Sequence, residues 1–171
     1  MPDQLTRGRL SAPAQAVVVV AAFAAGGALA GVLWEWLWTP QQGVAIDGQW
    51  LLDSEALGSE FSGTALYVLV GAAVGLLLGV AVALLLPDHE LVTLGATVVG
   101  SVLAAWLMWR VGLALDPPDP AVVARTAPDR TPVPGDLDVV GRSPFTALPT
   151  GALVGLVAVF VGFTRHRKPP R

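Results

Sequence analysis

The chain has 171 residues, of which 54% are hydrophobic and only 13% are charged, with a net charge of −3, whereas soluble domains carry about 25% charged residues. This composition predicts an integral membrane protein and leaves little chain for a separate soluble domain. Because the chain contains no cysteine, disulfides, thiolate nucleophiles and cysteine-ligated metals are excluded.

Four apolar stretches are long enough to span a bilayer. The hydrocarbon core is about 30 Å thick, which takes roughly 20 helical residues at 1.5 Å each. None of the four has the polar alternation of a barrel strand. The sequence therefore predicts an all-α membrane protein, a four-helix transmembrane bundle with spans at residues 14–38, 64–86, 91–115 and 145–163.

The first span could also be read as a signal peptide. Arg7 and Arg9 precede the apolar stretch, and Ala28-Leu29-Ala30 resembles a cleavage site. The apolar run continues for several residues beyond that site, which is longer than a normal signal core, so we expect a retained span. Removal of residues 1–30 would instead place Glu35 near a new N-terminus.

The basic residues in the tails predict the orientation. The N-tail, 1–13, carries two arginines, and the C-tail, 164–171, carries three arginines and a lysine. The loop at 39–63 has no basic residue, and the loop at 116–144 has three arginines among five aspartates. Lysine and arginine accumulate on the cytoplasmic side. We therefore expect a multi-pass plasma-membrane protein with both termini cytoplasmic and both long loops outside.

Tryptophans concentrate at the predicted outer ends of the first and third spans. Indole has an apolar body and one N–H donor, so it favours the boundary between the lipid headgroups and the hydrocarbon. We expect an outer aromatic belt that anchors the bundle. The alternative is an aromatic cluster that recognises a lipid or sugar in the outer leaflet. The belt residues are Trp34, Trp36, Trp38, Trp106 and Trp109.

Two charged residues lie inside the spans, near their predicted outer ends. Glu35 is about 21 residues into the first span and Arg110 about 19 into the third, so at 1.5 Å per residue both reach nearly the same depth. We expect an intramembrane ion pair between them. Two alternatives stay open: each side chain reaches the interface independently, or Glu35 is a carboxylate that binds or carries a ligand.

Small residues recur at four-residue spacing, which places them on one face of each helix. Such faces let helix backbones approach closely and pack by van der Waals contact. Thr93, Thr97 and Ser101 form a similar stripe on the third span, and a hydroxyl-lined pathway is the alternative to packing there. The glycines predicted to pack are Gly27 and Gly31, then Gly71, Gly75 and Gly79, then Gly151 and Gly155.

The two outer loops are longer than simple connectors. Asp47-Gly48 lies between two short β-prone runs, a pattern typical of a two-residue hairpin turn. Residues 132–140 predict a further extended segment, which their prolines restrict to a sheet edge. A short helical turn is predicted at 121–125. Together these segments predict a small outer cap, with the first loop forming a β-hairpin.

Motifs that carry chemistry are absent from the sequence. Asp88, His89 and Glu90 are metal-ligand types, but adjacent helical residues point about 100° apart and do not converge on one ion. The chain has no nucleophile elbow, zinc-protease motif, phosphate-binding loop or dinucleotide fingerprint. We expect no cofactor, no metal, no nucleic-acid partner and no enzymatic activity.

Several short segments occur together in this chain: "GVLWEWLWTP", "IDGQW", "GTALYVLVGAAVGLLLG", "WRVG" and a proline- and aspartate-rich stretch that leads into "SPFTALPTGALVG". In this combination the chain resembles a group of small, uncharacterised four-span membrane proteins of actinobacteria. This resemblance implies a multi-pass location in the plasma membrane of a cell with an elaborate envelope. It brings no activity and no catalytic residues.

Two classes of function fit these observations. The first is a structural or accessory component of the cell envelope, whose partners are the lipid bilayer and either an envelope protein or further copies of the chain. The alternative is a small four-helix transporter or exporter that uses Glu35. We favour the first, because Glu35 lies near the outer end of its span whereas transport sites are expected near the bilayer midplane.

Overall fold

The structure is a computed structural model that describes residues 10–52 and 62–164. The arginines of the N-tail, the basic residues of the C-tail and residues 53–61 of the first loop lie outside the described residues. The orientation predicted from the tails therefore stays a prediction.

Four long helices dominate the fold, and each is long and apolar enough to cross a membrane. Their ends lie within two residues of the predicted span ends. Prolines mark where helices begin: Pro13 lies in the first turn of the first helix, and Pro144 lies in a 3₁₀ turn that leads into the last. The helices are α1 (Ala12–Leu37), α2 (Ser62–Leu85), α3 (Glu90–Leu115), the short α4 (Pro120–Ala124) and α5 (Ala147–Thr164), with the 3₁₀ turn at Ser143–Thr146.

A small three-stranded sheet forms the centre of a cap at one end of the bundle. The strands are β1 (Gln42–Ile46), β2 (Gln49–Leu52) and β3 (Pro132–Pro134), in the order β2-β1-β3. Asp47 and Gly48 have φ angles of 53° and 72°, the left-handed values that a type I′ hairpin turn requires. The predicted β-hairpin is confirmed.

The second loop contributes the rest of the cap. β3 pairs antiparallel with β1 at the edge of the sheet. Its two prolines have no amide hydrogen, and at an edge no further strand requires one from them. α4 begins after Asp119, whose side chain accepts a hydrogen bond from the Ala121 amide at 2.8 Å. Inside the cap, Trp50 packs against the buried side chains of Ala45, Ala124 and Val133.

The bundle consists of two closely packed parallel pairs of helices. In the first pair, Gly27 of α1 meets Ala104 of α3. The second pair is formed by α2 and α5, where Gly75 meets Leu148 and Gly79 meets Ala152. Residue numbers rise together along both seams, so the helices of each pair run in the same direction. We call the end of the bundle that carries the sheet the cap end, and the opposite end the tail end.

The two halves of the chain, as far as the structure describes them, have a similar order of elements. Residues 64–66 and 146–148 both read "TAL", and "GAAVGL" at 71–76 matches "GALVGL" at 151–156. Each half is a long helix, a cap segment and a second long helix, and the equivalent helices of the two halves pair with each other. The two short sequence matches lie in the region of α2 and α5, and the span prediction did not use them.

Candidate functional site

Four aromatic rings form a cluster at the cap end of the bundle. The rings of Trp34 and Tyr67 meet edge-on with centroids 5.0 Å apart. Phe145 continues the cluster at 5.5 Å from Tyr67 and 5.8 Å from Trp109. The rings come from α1, α2, α3 and the 3₁₀ turn before α5, so the cluster ties all four long helices together just below the cap.

The polar atoms of the buried aromatic residues are paired with the backbone. The indole N–H of Trp34 donates to the Gly63 carbonyl at 2.9 Å, and the Tyr67 hydroxyl donates to the Ala105 carbonyl at 2.8 Å. The Trp34 ring packs directly against Gly112, which has no side chain. A Cβ at that position would overlap the ring. These bonds join α1 to α2 and α2 to α3 across the bundle.

The tryptophans do not form one belt as predicted. Trp34 is 0% exposed and Trp38 is also buried, whereas Trp36 is 75% exposed and Trp106 is 49% exposed. Trp109 is partly buried against the core. The reason is helical rotation: residues four apart share a face, and the residue midway between them points about 200° away. Only Trp36 and Trp106 have the exposure that an interfacial anchor needs.

The structure does not bring Glu35 and Arg110 together as an ion pair. Arg110 lies midway between Met108 and Gly112, which are buried, so it occupies the opposite, exposed face of α3. Its guanidinium carbon lies 5.9 Å from the ring centroids of both Trp106 and Trp109, within cation–π range. Glu35 is partly buried at the edge of the α1 packing face. The two residues lie at a similar depth along their helices, as expected, but they point in different directions around the helix axes.

We expect a double-mutant cycle at these positions to show no coupling. Glu35→Gln, Arg110→Gln and the charge-swapped double variant should have additive effects on thermal unfolding in detergent, within about 0.5 kcal/mol. Arg110→Gln alone should cost about 0.5–1 kcal/mol through the lost aromatic contacts. A swap that restores stability lost in both single variants would contradict this geometry.

The carboxylate of Asp116 lies at the end of α3 and is held by the cap. Its Oδ2 accepts a hydrogen bond from the Leu137 amide at 2.8 Å, and its Oδ1 is buried without a partner among the described residues. Burial raises the pKa of Asp116 above its usual value. The Leu137 hydrogen bond opposes that rise, and the charges of Asp136 and Glu35 add to it. Glu35 therefore interacts electrostatically with Asp116, a residue of the same charge.

Asp116→Asn should keep the hydrogen bond to Leu137 while removing the charge. Because the pKa of Asp116 is raised in the folded state, its ionisation lowers stability as pH rises through the interval from 3.8 to the folded-state pKa. We expect Asp116→Asn to equal the wild type below that interval and to be more stable at pH 7. The measurement is thermal unfolding across pH, and Asp116→Ala, which also loses the hydrogen bond, is the control.

The predicted packing glycines lie on the two helix seams. Gly27 and Gly31 approach the backbone of α3 at Ala104 and Met108. A Cβ at any of the four glycines of the tight α2–α5 seam would collide with a carbonyl of the facing helix; these are Gly75, Gly79, Gly151 and Gly155. Gly71 differs, since a Cβ there would lie at an ordinary 3.6 Å from Leu148.

Buried polar residues lie along the α1–α3 seam. Near the tail end, Gln15 donates to the Thr93 hydroxyl at 2.6 Å and to the Leu86 carbonyl at 3.0 Å. The Ser101 hydroxyl donates to the carbonyl of Val98 in its own helix, and the Thr97 hydroxyl has no partner among the described residues. The sequence predicted the hydroxyl stripe but not the role of Gln15. This residue lies in the first turn of α1 and donates a hydrogen bond to Thr93 of the stripe.

The described residues offer little for chemistry inside the bundle. No group of three His, Cys, Asp or Glu side chains in this part of the chain is placed to hold a metal ion. α2 and α5 contain no charged residue, and Glu35 and Arg110 lie near the cap end of α1 and α3. The contacts between the described side chains of the bundle are those of helix packing.

No protein-family model, no curated protein and no solved structure matches the chain. The resemblance to the actinobacterial group therefore remains an expectation from sequence.

Proposed function

We propose that the chain is a multi-pass protein of the plasma membrane whose helical bundle anchors a docking cap on the outer side, for a protein partner in the cell envelope. The observation that carries this proposal is an exposed apolar face on the cap sheet. It is supported by the rigid packing beneath the cap and by the absence of any charged side chain from α2 and α5.

The strand register defines the exposed face. Val44 pairs directly with Leu51 on one side and with Pro132 on the other, and Ile46 lies two residues further along β1. Residues paired across strands, and residues two apart on one strand, share a face. Leu51 is 45% exposed and Ile46 is 38% exposed. We call this the cap face, with an apolar centre formed by Val44, Ile46, Leu51 and Pro132 and with Gln42 and Gln49 at its margin.

The opposite side of the sheet has the burial expected of a core. Gly43 and Ala45 are buried and alternate with Gln42, Val44 and Ile46, which are exposed or half-buried, and Ala45 packs with Ala124 and Val133. The sheet is therefore already covered on one side by α4 and its own loop. An apolar face left uncovered on a small, ordered sheet is typical of an interaction surface.

The bundle suits a fixed anchor better than a moving transporter. Alternating access requires helices to slide or rock around a site near the midplane. Here backbone contacts along two glycine seams hold the helices, and the aromatic cluster joins all four at the cap end. Glu35, the carboxylate that a transporter would use, follows Trp34 of this cluster near the cap end of α1, where its charge acts on Asp116, rather than at the middle of the span.

The test is site-specific photocrosslinking in cells. A photoreactive amino acid at Leu51 should yield one discrete crosslinked product, whereas the same probe at Val122, which is exposed on α4, should yield much less. Pro132→Asp, which puts a charge on the cap face, should remove the product. Glu35→Gln should leave it unchanged, since the proposal gives Glu35 no role in docking.

Two other outcomes decide between the alternatives. A product of twice the monomer mass that contains only this chain would identify a second copy as the partner. Loss of crosslinking at every cap position, together with efflux of a substrate that depends on Glu35, would replace the docking function with transport.

A further inference from the structure

A long groove runs along the surface of the bundle between α2 and α5. Its volume is about 750 Å³, within the range of about 300–1,000 Å³ found for sites that bind small molecules. The floor consists of small residues such as Ala72, Ala147 and Gly151. Gly151 meets the Ala72 carbonyl directly, so the two helices close the bottom of the groove by backbone contact.

The lining of the groove changes from polar to apolar along its length. Hydroxyl side chains lie where α2 and α5 begin at the cap end, namely Thr64, Ser143, Thr146 and Thr150. Val68, Leu76 and Val154 line the deeper part. Twelve residues separate Thr64 from Leu76, or about 18 Å of helix, close to half of a hydrocarbon core of about 30 Å. The groove therefore has the length and the polarity gradient of one lipid leaflet.

The polar end of the groove is suited to a phosphate group. The Thr64 hydroxyl accepts a hydrogen bond from the Val140 amide at 3.0 Å, which leaves its own proton free to donate. Ser143 lines the groove, and Arg142, an exposed residue outside the lining, directly precedes it in the chain. The nearby carboxylate of Asp138 is bonded to the Val139 amide at 2.7 Å. A cation and hydroxyl donors at headgroup depth match the charge and hydrogen-bonding capacity of a phosphodiester.

We propose that this groove binds one anionic glycerophospholipid of the leaflet at the cap end. One acyl chain lies along the α2–α5 seam over Ala72 and Ala73, and the phosphate lies at Thr64, Ser143 and Arg142. This lipid site is separate from the cap face and does not depend on the docking function. The glycines of the seam then have two roles. They allow the helices to pack closely, and this close packing creates the floor of the groove.

The experiment is native mass spectrometry of the protein released from nanodiscs of phosphatidylcholine that contain one fifth phosphatidylglycerol. The wild type should retain one phosphatidylglycerol. Ala73→Phe, which fills the groove from its exposed wall, should reduce retention at least tenfold. Arg142→Gln should keep a bound lipid but lose most of the preference for phosphatidylglycerol over phosphatidylcholine.

Matched controls separate a specific site from the general lipid shell. Ala25→Phe makes the same change at an exposed position on α1 and should retain the lipid. Equal retention by Ala73→Phe and Ala25→Phe, or no retention by the wild type, would overturn the proposal. If Ala73→Phe lowers the melting temperature, Val154→Phe from the opposite wall replaces it. Cap-face crosslinking does not enter this readout, so either result stands independently.

Discussion

Gly75→Ala and Gly79→Ala should each lower the free energy of unfolding by about 1–3 kcal/mol, the usual cost of overpacking a tight interface. A Cβ at Gly75 would collide with the Leu148 carbonyl, and one at Gly79 would collide with the Ala152 carbonyl. Backbone atoms cannot rotate away as side chains do, so α2 and α5 would have to separate. Within a bilayer the loss is mainly van der Waals contact, because lipid offers no hydrophobic gain to offset it.

The same helix supplies the matched control. Gly71→Ala places its methyl group at an ordinary 3.6 Å from Leu148, and Gly95→Ala on α3 meets nothing within 4 Å. Both should change stability by less than about 0.5 kcal/mol. Thermal unfolding in detergent measures the series. If all four substitutions prove equally mild, the backbone contact along the α2–α5 seam is absent and the packing account fails.

Trp34→Ala should produce the second large effect, a loss of about 3–5 kcal/mol, as for other large aromatic side chains removed from a core. The substitution removes the ring that packs on Tyr67 and the indole N–H that bonds to the Gly63 carbonyl. Trp34→Phe restores part of the ring volume but not the N–H, so it should recover only part of the loss. Thermal unfolding of both variants gives the two contributions separately.

Trp36 is the control for this prediction, because it has the same residue type two positions away and is mostly exposed. Trp36→Ala should change unfolding in detergent by less than about 0.5 kcal/mol, although it should weaken anchoring at a bilayer interface. A ranking in which Trp36→Ala costs as much as Trp34→Ala would show that α1 is rotated from the position described here.

Sequence was sufficient for features that depend on length, composition and local backbone chemistry. The long apolar runs gave the four helices, and Asp47-Gly48 gave the hairpin, because only a few residue types favour two successive positive φ angles. The edge position of β3 followed from the missing amide hydrogens of Pro132 and Pro134. The pairing of α1 with α3 and α2 with α5 was not predicted, and the recurring "TAL" and "GAxVGL" segments concern α2 and α5 alone.

The candidate site shows where a single sequence falls short. Depth along a helix follows from residue number, so Glu35 and Arg110 were correctly placed near one level. Rotation about the helix axis depends on which neighbours a helix packs against, and the apolar spans have no polar face to reveal it. Trp34 and Trp38, which were expected in the belt, lie on the buried face of α1 and belong to the core. The Arg110 guanidinium lies over the ring of Trp106.

The most direct test of the central claim is cysteine accessibility in intact cells, since the chain has no cysteine of its own. Single cysteines replace Val122 on α4 of the cap, Leu77 in α2 and Pro87 in the turn at the tail end, all of which are exposed in the fold. A charged, membrane-impermeant maleimide should label Val122→Cys in intact cells and Pro87→Cys only after permeabilisation. It should not label Leu77→Cys under either condition, because lipid covers that position. Labelling of Pro87→Cys before permeabilisation, or of Leu77→Cys at any stage, would contradict a four-span anchor with an outer cap.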